Sequence, residues 1–219
     1  MIGVVIPAHN EEACLGDCLA AVLQAAGHSG LGAEPVHIVV VLDDCRDGSE
    51  AVALAHAVPV IHVTARKVGA ARAAGARHLL QAGARWLAFT DADTVVSPGW
   101  LVAQLGLGAQ AVCGSVEVGD WSAHGERGPQ VRQHFERRYR DADGHRHIHG
   151  ANLGVCALAY QRAGGFEPLA CSEDVALVEA LQRSGATIAW SAAPRVLTSA
   201  RTDARARGGF GDTLLGLTG

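Results

Sequence analysis

Five short apolar runs, at 2–6, 36–42, 60–63, 86–90 and 111–118, alternate with Ala- and Leu-rich stretches of helical spacing at 12–26, 50–57, 70–81 and 100–105. This alternation constrains the fold more than any other feature. A strand that is apolar throughout must be covered on both faces, and helices between successive strands supply the covers. The pattern therefore predicts βαβ units: an α/β protein with a mostly parallel sheet flanked by helices. Ligands of such sheets bind beyond the carboxyl ends of the strands. Three polar clusters fall there: Pro7-Ala8-His9-Asn10-Glu11-Glu12, Asp43-Asp44-Cys45-Arg46-Asp47-Gly48-Ser49, and Asp91-Ala92-Asp93.

The character changes over 119–149, where charged residues and histidines dominate and only 130–139 has helical spacing. That segment is either a loop-and-helix insertion over the site or a solvated connector. Apolar spacing resumes at 152–160, a helix is expected over 172–184 and a last strand near 188–190. The 219 residues suit one domain, 1–219, or one domain with a small subdomain, and the change of character divides it into 1–118 and 119–219. A net charge of −4 argues against nucleic acid as a partner. No apolar run approaches the roughly 20 residues of a membrane span, and the start lacks a basic n-region, so a cytoplasmic protein with at most peripheral membrane contact is expected. Cys14 and Cys18 lie one helical turn apart. That is the spacing of a metal or redox pair, and also of two small buried apolar side chains.

Asp91 and Asp93, two apart after an apolar strand, can present carboxylates to one hard cation; Mg²⁺ or Mn²⁺ is commonly held by one or two carboxylates plus substrate phosphates. The alternative is an Asp that caps the next helix. Asp44 can accept from a nucleobase or ribose, or be a solvated neighbour of an Asp47-Gly48 turn. Arg72, on the helix after Gly69, suits a phosphate or an ion pair with the Asp cluster.

In order, these motifs resemble the family 2 glycosyltransferases of the GT-A fold. The likeness runs through Val5-Ile6-Pro7-Ala8-His9-Asn10-Glu11-Glu12, Asp43-Asp44, Lys67-Val68-Gly69-Ala70-Ala71-Arg72 and Asp91-Ala92-Asp93. It continues through Gly150-Ala151-Asn152-Leu153-Gly154, Gly164-Gly165-Phe166 and Ser172-Glu173-Asp174. The resemblance implies a Rossmann-like sheet that binds a nucleotide-diphosphate sugar, usually a UDP-sugar, through the first half and a hydroxyl acceptor through the second. It implies that Pro7, Ala8 and Glu11 line the nucleoside pocket, that Asp44 reads the base and that Arg72 lies near the nucleotide. It further implies that Asp91 contacts ribose or sugar and shares with Asp93 a Mn²⁺ or Mg²⁺ ion, and that Asp174, with Glu173 beside it, is the catalytic base.

The departures are specific. Asp-Asp-Gly-Ser has become Asp-Asp-Cys-Arg-Asp-Gly-Ser, Ala73 follows Arg72 where Asn is frequent, and no histidine follows His149. His145, His147 and His149 alternate; one of them can reach a cation, or they are exposed or contact substrate. Arg195, Arg201, Arg205 and Arg207 belong either to a loop closing on the diphosphate, with Arg201 the favoured contact, or to a solvated end. A haloacid-dehalogenase-type phosphatase would use Asp91 as nucleophile, but it needs a downstream lysine, and the sole lysine, Lys67, lies upstream. A dinucleotide-dependent oxidoreductase would need GxGxxG after the first strand, where two acids stand instead. A nucleotidyltransferase would want a Gly-rich basic loop there. A binding module without turnover is the non-enzymatic alternative.

Overall fold

The computed structural model describes residues 1–201. Its first half consists of β1 (Ile2–Ala8), α1 (Leu15–Ala26), β2 (Val36–Asp43), α2 (Ser49–Ala55), β3 (Val60–Val63), α3 (Val68–Gln81), β4 (Trp86–Phe89), β5 (Thr94–Val96), α4 (Trp100–Gly106), β6 (Ala111–Gly114) and β7 (Glu117–Val118). Then follow α5 (Gly128–Arg138), β8 (Leu153–Cys156), α6 (Ala157–Ala163), α7 (Glu173–Arg183), β9 (Ile188–Ser191) and β10 (Val196–Thr198). A seven-stranded sheet runs β3-β2-β1-β4-β8-β6-β9. All neighbours are parallel except β8, which is antiparallel to both β4 and β6.

Strand alternation sends successive side chains to opposite faces, and both faces are apolar here. Ile2, Val4 and Ile6 of β1 join Val40, Leu42 and Ala88 on one face, under Leu15, Leu19 and Val22 of α1 and Trp100 of α4. Val5, Val39, Val41, Leu87 and Phe89 take the other, under Ala71 and Leu79 of α3 and Leu177, Val178 and Leu181 of α7. Each such large side chain taken out of water contributes about 1.5–3 kcal/mol, so the three-layer core follows from the doubly apolar strands. Gly75 lets α3 approach closely, because a Cβ there would press on Val5 and Val41.

The sheet order reverses at β1, with β2 on one side and β4 on the other. The crevice beyond the carboxyl ends of β1 and β4 is therefore the switch point where such sheets bind ligands. The expected 111–118 strand divides in two. Only β6 stays in the main sheet, while β7 joins β10 and β5 in a three-stranded sheet. Neither β5 nor β10 announces itself in the sequence, since each is three residues long. Among the described residues no helix is long and apolar enough to cross a membrane.

Candidate active site

The loops after β1, β2 and β3 are stitched together by polar side chains. Asp47 accepts from the Ser49 N–H at the start of α2 (3.1 Å) and from the Glu12 N–H (3.0 Å), and the Ser49 hydroxyl accepts from the Glu11 N–H (2.9 Å). Asp43, at the end of β2, accepts from the N–H groups of Arg66 (2.8 Å) and Lys67 (2.9 Å). Asn10, Asp44 and Arg66 sit one per loop with positive φ of 57°, 51° and 49°. Such backbone persists only where neighbours over-determine it; Asn10 is held by the Arg46 N–H (2.8 Å) and Asp44 by its own N–H to Val63 (2.9 Å).

A crevice of about 840 Å³ opens beside these loops. Nine of the ten residues singled out in the sequence line it: Pro7, Ala8, Glu11, Arg72, Asp91, Asp93, Glu173, Asp174 and Arg201. Asp44 does not. Its carboxylate faces Arg66 (3.0 Å) and Arg46 (3.7 Å), while Asp43 and Arg66 take the crevice wall.

Two arginines organise the acids. Arg72, one turn into α3 and 3% exposed, pairs with both Asp91 and Glu173, so a carboxylate after β4 and one at the start of α7 share one buried guanidinium. Gly150 has to be glycine for the same reason, since a Cβ there would collide with that guanidinium. Arg201 reaches from beyond β10 to Glu11 through both fork nitrogens (2.9 and 2.7 Å) and to Asp93 (2.8 Å). Burial drives the Asp93 carboxyl up from 3.8 to about 6, against the pull of Arg201 and helped by Asp91 and Glu11. Asp93 is thus a costly anion.

Asp174 stands in the first turn of α7, where the helix dipole favours a carboxylate. Its two oxygens accept from the N–H groups of Gly150 and Val175, both at 2.8 Å. The bond from Gly150 holds the start of α7 against the segment leading into β8.

The 119–149 segment supplies a wall rather than a connector. Phe135, Arg138, Tyr139, His147 and His149 all line the crevice, and Phe135, Tyr139 and His147 form a stacked row with centroids 4.6 and 4.1 Å apart. None of the three histidines is exposed. His145 is 2% exposed and lies off the crevice, while His147 and His149 are half-buried on its wall, in keeping with the substrate-contact alternative, His149 with Nε2 2.9 Å from the Tyr139 hydroxyl. Burial pushes the His149 imidazole down to about 3, so it stays neutral at physiological pH. Arg205 and Arg207 lie outside the described residues. Cys18 is buried, with its thiol pushed well up by desolvation, and it donates to the Asp91 carbonyl (3.3 Å); this favours the apolar-filler reading of the Cys14/Cys18 spacing.

Sequence reasoning misses Arg66 and Tyr139, and it names His9, Asp43 and Lys67 only as members of motifs, without a role for any of them. Their positions after strands or inside a polar helix were visible, but nothing local distinguishes a lining arginine from a solvated one.

The crevice fits a divalent cation. Glu11, Asp91, Asp93 and Glu173 share two arginines, which leaves two negative charges. No group of three or more His, Cys, Asp or Glu among the described residues is arranged to hold a metal by itself. Asp91 and Asp93, two carboxylates on the crevice wall, match an ion that relies on one or two carboxylates plus phosphate oxygens.

The profile of the family described as glycosyl transferase family 2 matches residues 3–162. No curated protein matches the chain. Among solved structures, TarS 1–349 of S. aureus, crystallised with UDP-GlcNAc, superposes with a TM-score of 0.68 at 13% identity, covering 94% of this chain and 60% of that one. The mannosyltransferase PcManGT of Pyrobaculum calidifontis, in complex with GDP-Man and Mn²⁺, gives 0.66 at 15% identity, covering 93% and 58%. Glucosyl-3-phosphoglycerate synthase of Mycobacterium tuberculosis, with Mn²⁺, UDP and glucosyl-3-phosphoglycerate, gives 0.61 at 20% identity, covering 90% and 71%. At these identities the likeness establishes a GT-A fold.

Proposed function

The chain belongs to glycosyl transferase family 2, and from that premise we propose that it moves a sugar from a nucleotide-diphosphate donor to the hydroxyl of an acceptor. One observation carries the reading: a single crevice at the sheet's switch point gathers the Asp91/Asp93 pair and Asp174, which the chain holds far apart. The phosphatase alternative loses ground, since Asp91 follows the fourth strand of the chain and not its first.

In this proposal Pro7, Ala8 and Glu11 form the nucleoside end, and Asp44 acts there through Arg66, whose guanidinium it orients. The donor half is 1–118 and the acceptor half 119–219, although β8 and β9 of the latter complete the same sheet. Asp91 and Asp93 hold Mn²⁺ or Mg²⁺, which when bound neutralises charge on the diphosphate. Uridine is the expected base, by family resemblance and by the UDP complexes of structural neighbours. The acceptor hydroxyl gives its proton to Asp174 as its oxygen bonds to the anomeric carbon, and the bond from that carbon to the diphosphate breaks. Two N–H donors aim the Asp174 carboxylate. Glu173 and Arg72, closed on each other, position this base and do not react.

The reading is tested by thermal unfolding with UDP, GDP, ADP and CMP, each with and without Mn²⁺. A nucleotide at a hundred times its dissociation constant adds about 2.7 kcal/mol, so one diphosphate should raise the melting temperature in a Mn²⁺-dependent way. Silence from all four would remove the donor site. Asp174→Asn is expected to lower turnover by about 10²–10⁴-fold, the usual worth of a general base, with nucleotide binding unchanged. Turnover near that of the wild type would take Asp174 out of the mechanism.

A further inference from the structure

Arg201 is held where a cation belongs, and strand register puts it there. Thr198 of β10 pairs with Thr94 of β5, their hydroxyls 2.9 Å apart. Asp93 immediately precedes Thr94, and Arg201 lies three residues beyond Thr198. The guanidinium then forks onto Glu11 (2.9 and 2.7 Å) and touches Asp93 (2.8 Å), with all three residues on the crevice wall. Glu11 is 5% exposed, so this pairing is shielded from water and is not a loose surface contact.

Resting on the reading of the crevice as a metal-assisted nucleotide-diphosphate site, we propose that Arg201 is an internal counter-cation. It occupies the Asp93 carboxylate that a divalent metal shared with Asp91 would need, and it gives that carboxylate up when the nucleotide enters. A guanidinium and a divalent ion compete for the Asp93 carboxylate and repel each other across it. Metal alone must therefore push Arg201 off Asp93 and leave it with Glu11 alone among the described acids. Metal arriving with a diphosphate releases Arg201 onto phosphate oxygens, which match its fork. The arginine thereby couples the two ligands: nucleotide tightens metal binding, and metal tightens nucleotide binding by the same factor.

The test is Mn²⁺ binding to the full chain, read from the electron paramagnetic resonance signal of the free ion, with and without UDP or GDP. Arg201→Ala is expected to bind Mn²⁺ alone at least about tenfold more tightly than the wild type, with a smaller enhancement by nucleotide. Arg201→Lys, which keeps the charge without the fork, should fall between them; it also keeps the test decisive if the alanine variant folds poorly. Mn²⁺ affinity in Arg201→Ala equal to or weaker than wild type, with nucleotide binding retained, would overturn the proposal alone. A wild type that binds neither Mn²⁺ nor either nucleotide would bring it down together with the donor-site reading.

Discussion

Replacing Asp93 with asparagine is expected to make the protein more stable and to stop metal-assisted transfer. The carboxyl is driven from 3.8 to about 6 by burial, so its ionised form is disfavoured in the folded state even with Arg201 beside it. A shift of about two pH units at about 1.4 kcal/mol each puts the cost near 3 kcal/mol once the group is ionised in both states. The sign follows from the raised value. Below 3.8 the carboxyl is protonated in folded and unfolded chains alike and costs nothing; the cost grows between 3.8 and about 6 and is complete above that. Asparagine mimics the protonated form. Asp93→Asn should therefore gain up to about 3 kcal/mol in denaturant unfolding at pH 8 and lose that advantage near pH 3.5. Activity should move the other way, by more than about a hundredfold, because a neutral amide oxygen is a weaker ligand than the carboxylate and leaves the cation one negative charge short. Equal stability at pH 8 and pH 3.5 would show that Asp93 stores no such strain.

That opposition explains why part of the site was legible in the sequence. Strands apolar on both faces can only be interior strands, so the Val36–Asp43 and Trp86–Phe89 runs disclosed both the sheet and its layers. Carboxylates directly after such strands have no packing role to fill, and Asp91 and Asp93 stood out for that reason. Their partners were less visible. Arg72 reads as a phosphate contact or as an ion-pair partner of the Asp cluster, and the structure has the ion pair, with Glu173 as a second anion that the sequence does not announce, because a buried guanidinium needs anions and the register of α3 against α7 supplies two. Asp44 read as the base contact, but the left-handed backbone at Asp44 and its pairing with Arg66 put Asp43 on the crevice wall instead. The two short strands that deliver Arg201 and Asp93 to one another are set by tertiary pairing, which no local pattern encodes. The histidine row was read from spacing alone. The burial of His145 depends on Ser191 and Trp190 arriving from elsewhere, and His149 is held by Tyr139.

Asn152 is where a motif residue becomes structural, and its loss should be the most damaging single truncation. It belongs to the Gly150-Ala151-Asn152-Leu153-Gly154 run that resembles an acceptor-side block, but the side chain is fully buried and off the crevice. Its carboxamide oxygen accepts from the Trp100 indole N–H (2.9 Å), and its nitrogen donates to the carbonyls of Ser115 (2.7 Å) and Pro194 (2.9 Å). One amide thus ties α4, the bend after β6 and the approach to β10 together. Gly114 is bare because a Cβ there would collide with the same carboxamide. Alanine would leave a buried donor and two buried carbonyls without these partners, each costing about 1–3 kcal/mol if no water replaces them. A loss of about 3–5 kcal/mol is expected for Asn152→Ala in denaturant unfolding, with melting temperature falling accordingly. Adding Trp100→Phe removes one of the stranded donors, so the double variant should lose less than the sum of the two single changes. Additive losses, or a cost below about 1 kcal/mol for Asn152→Ala, would mean that the amide does not hold these segments together, and that the β10 arm carrying Arg201 is placed by its pairing with β5 and β7 alone.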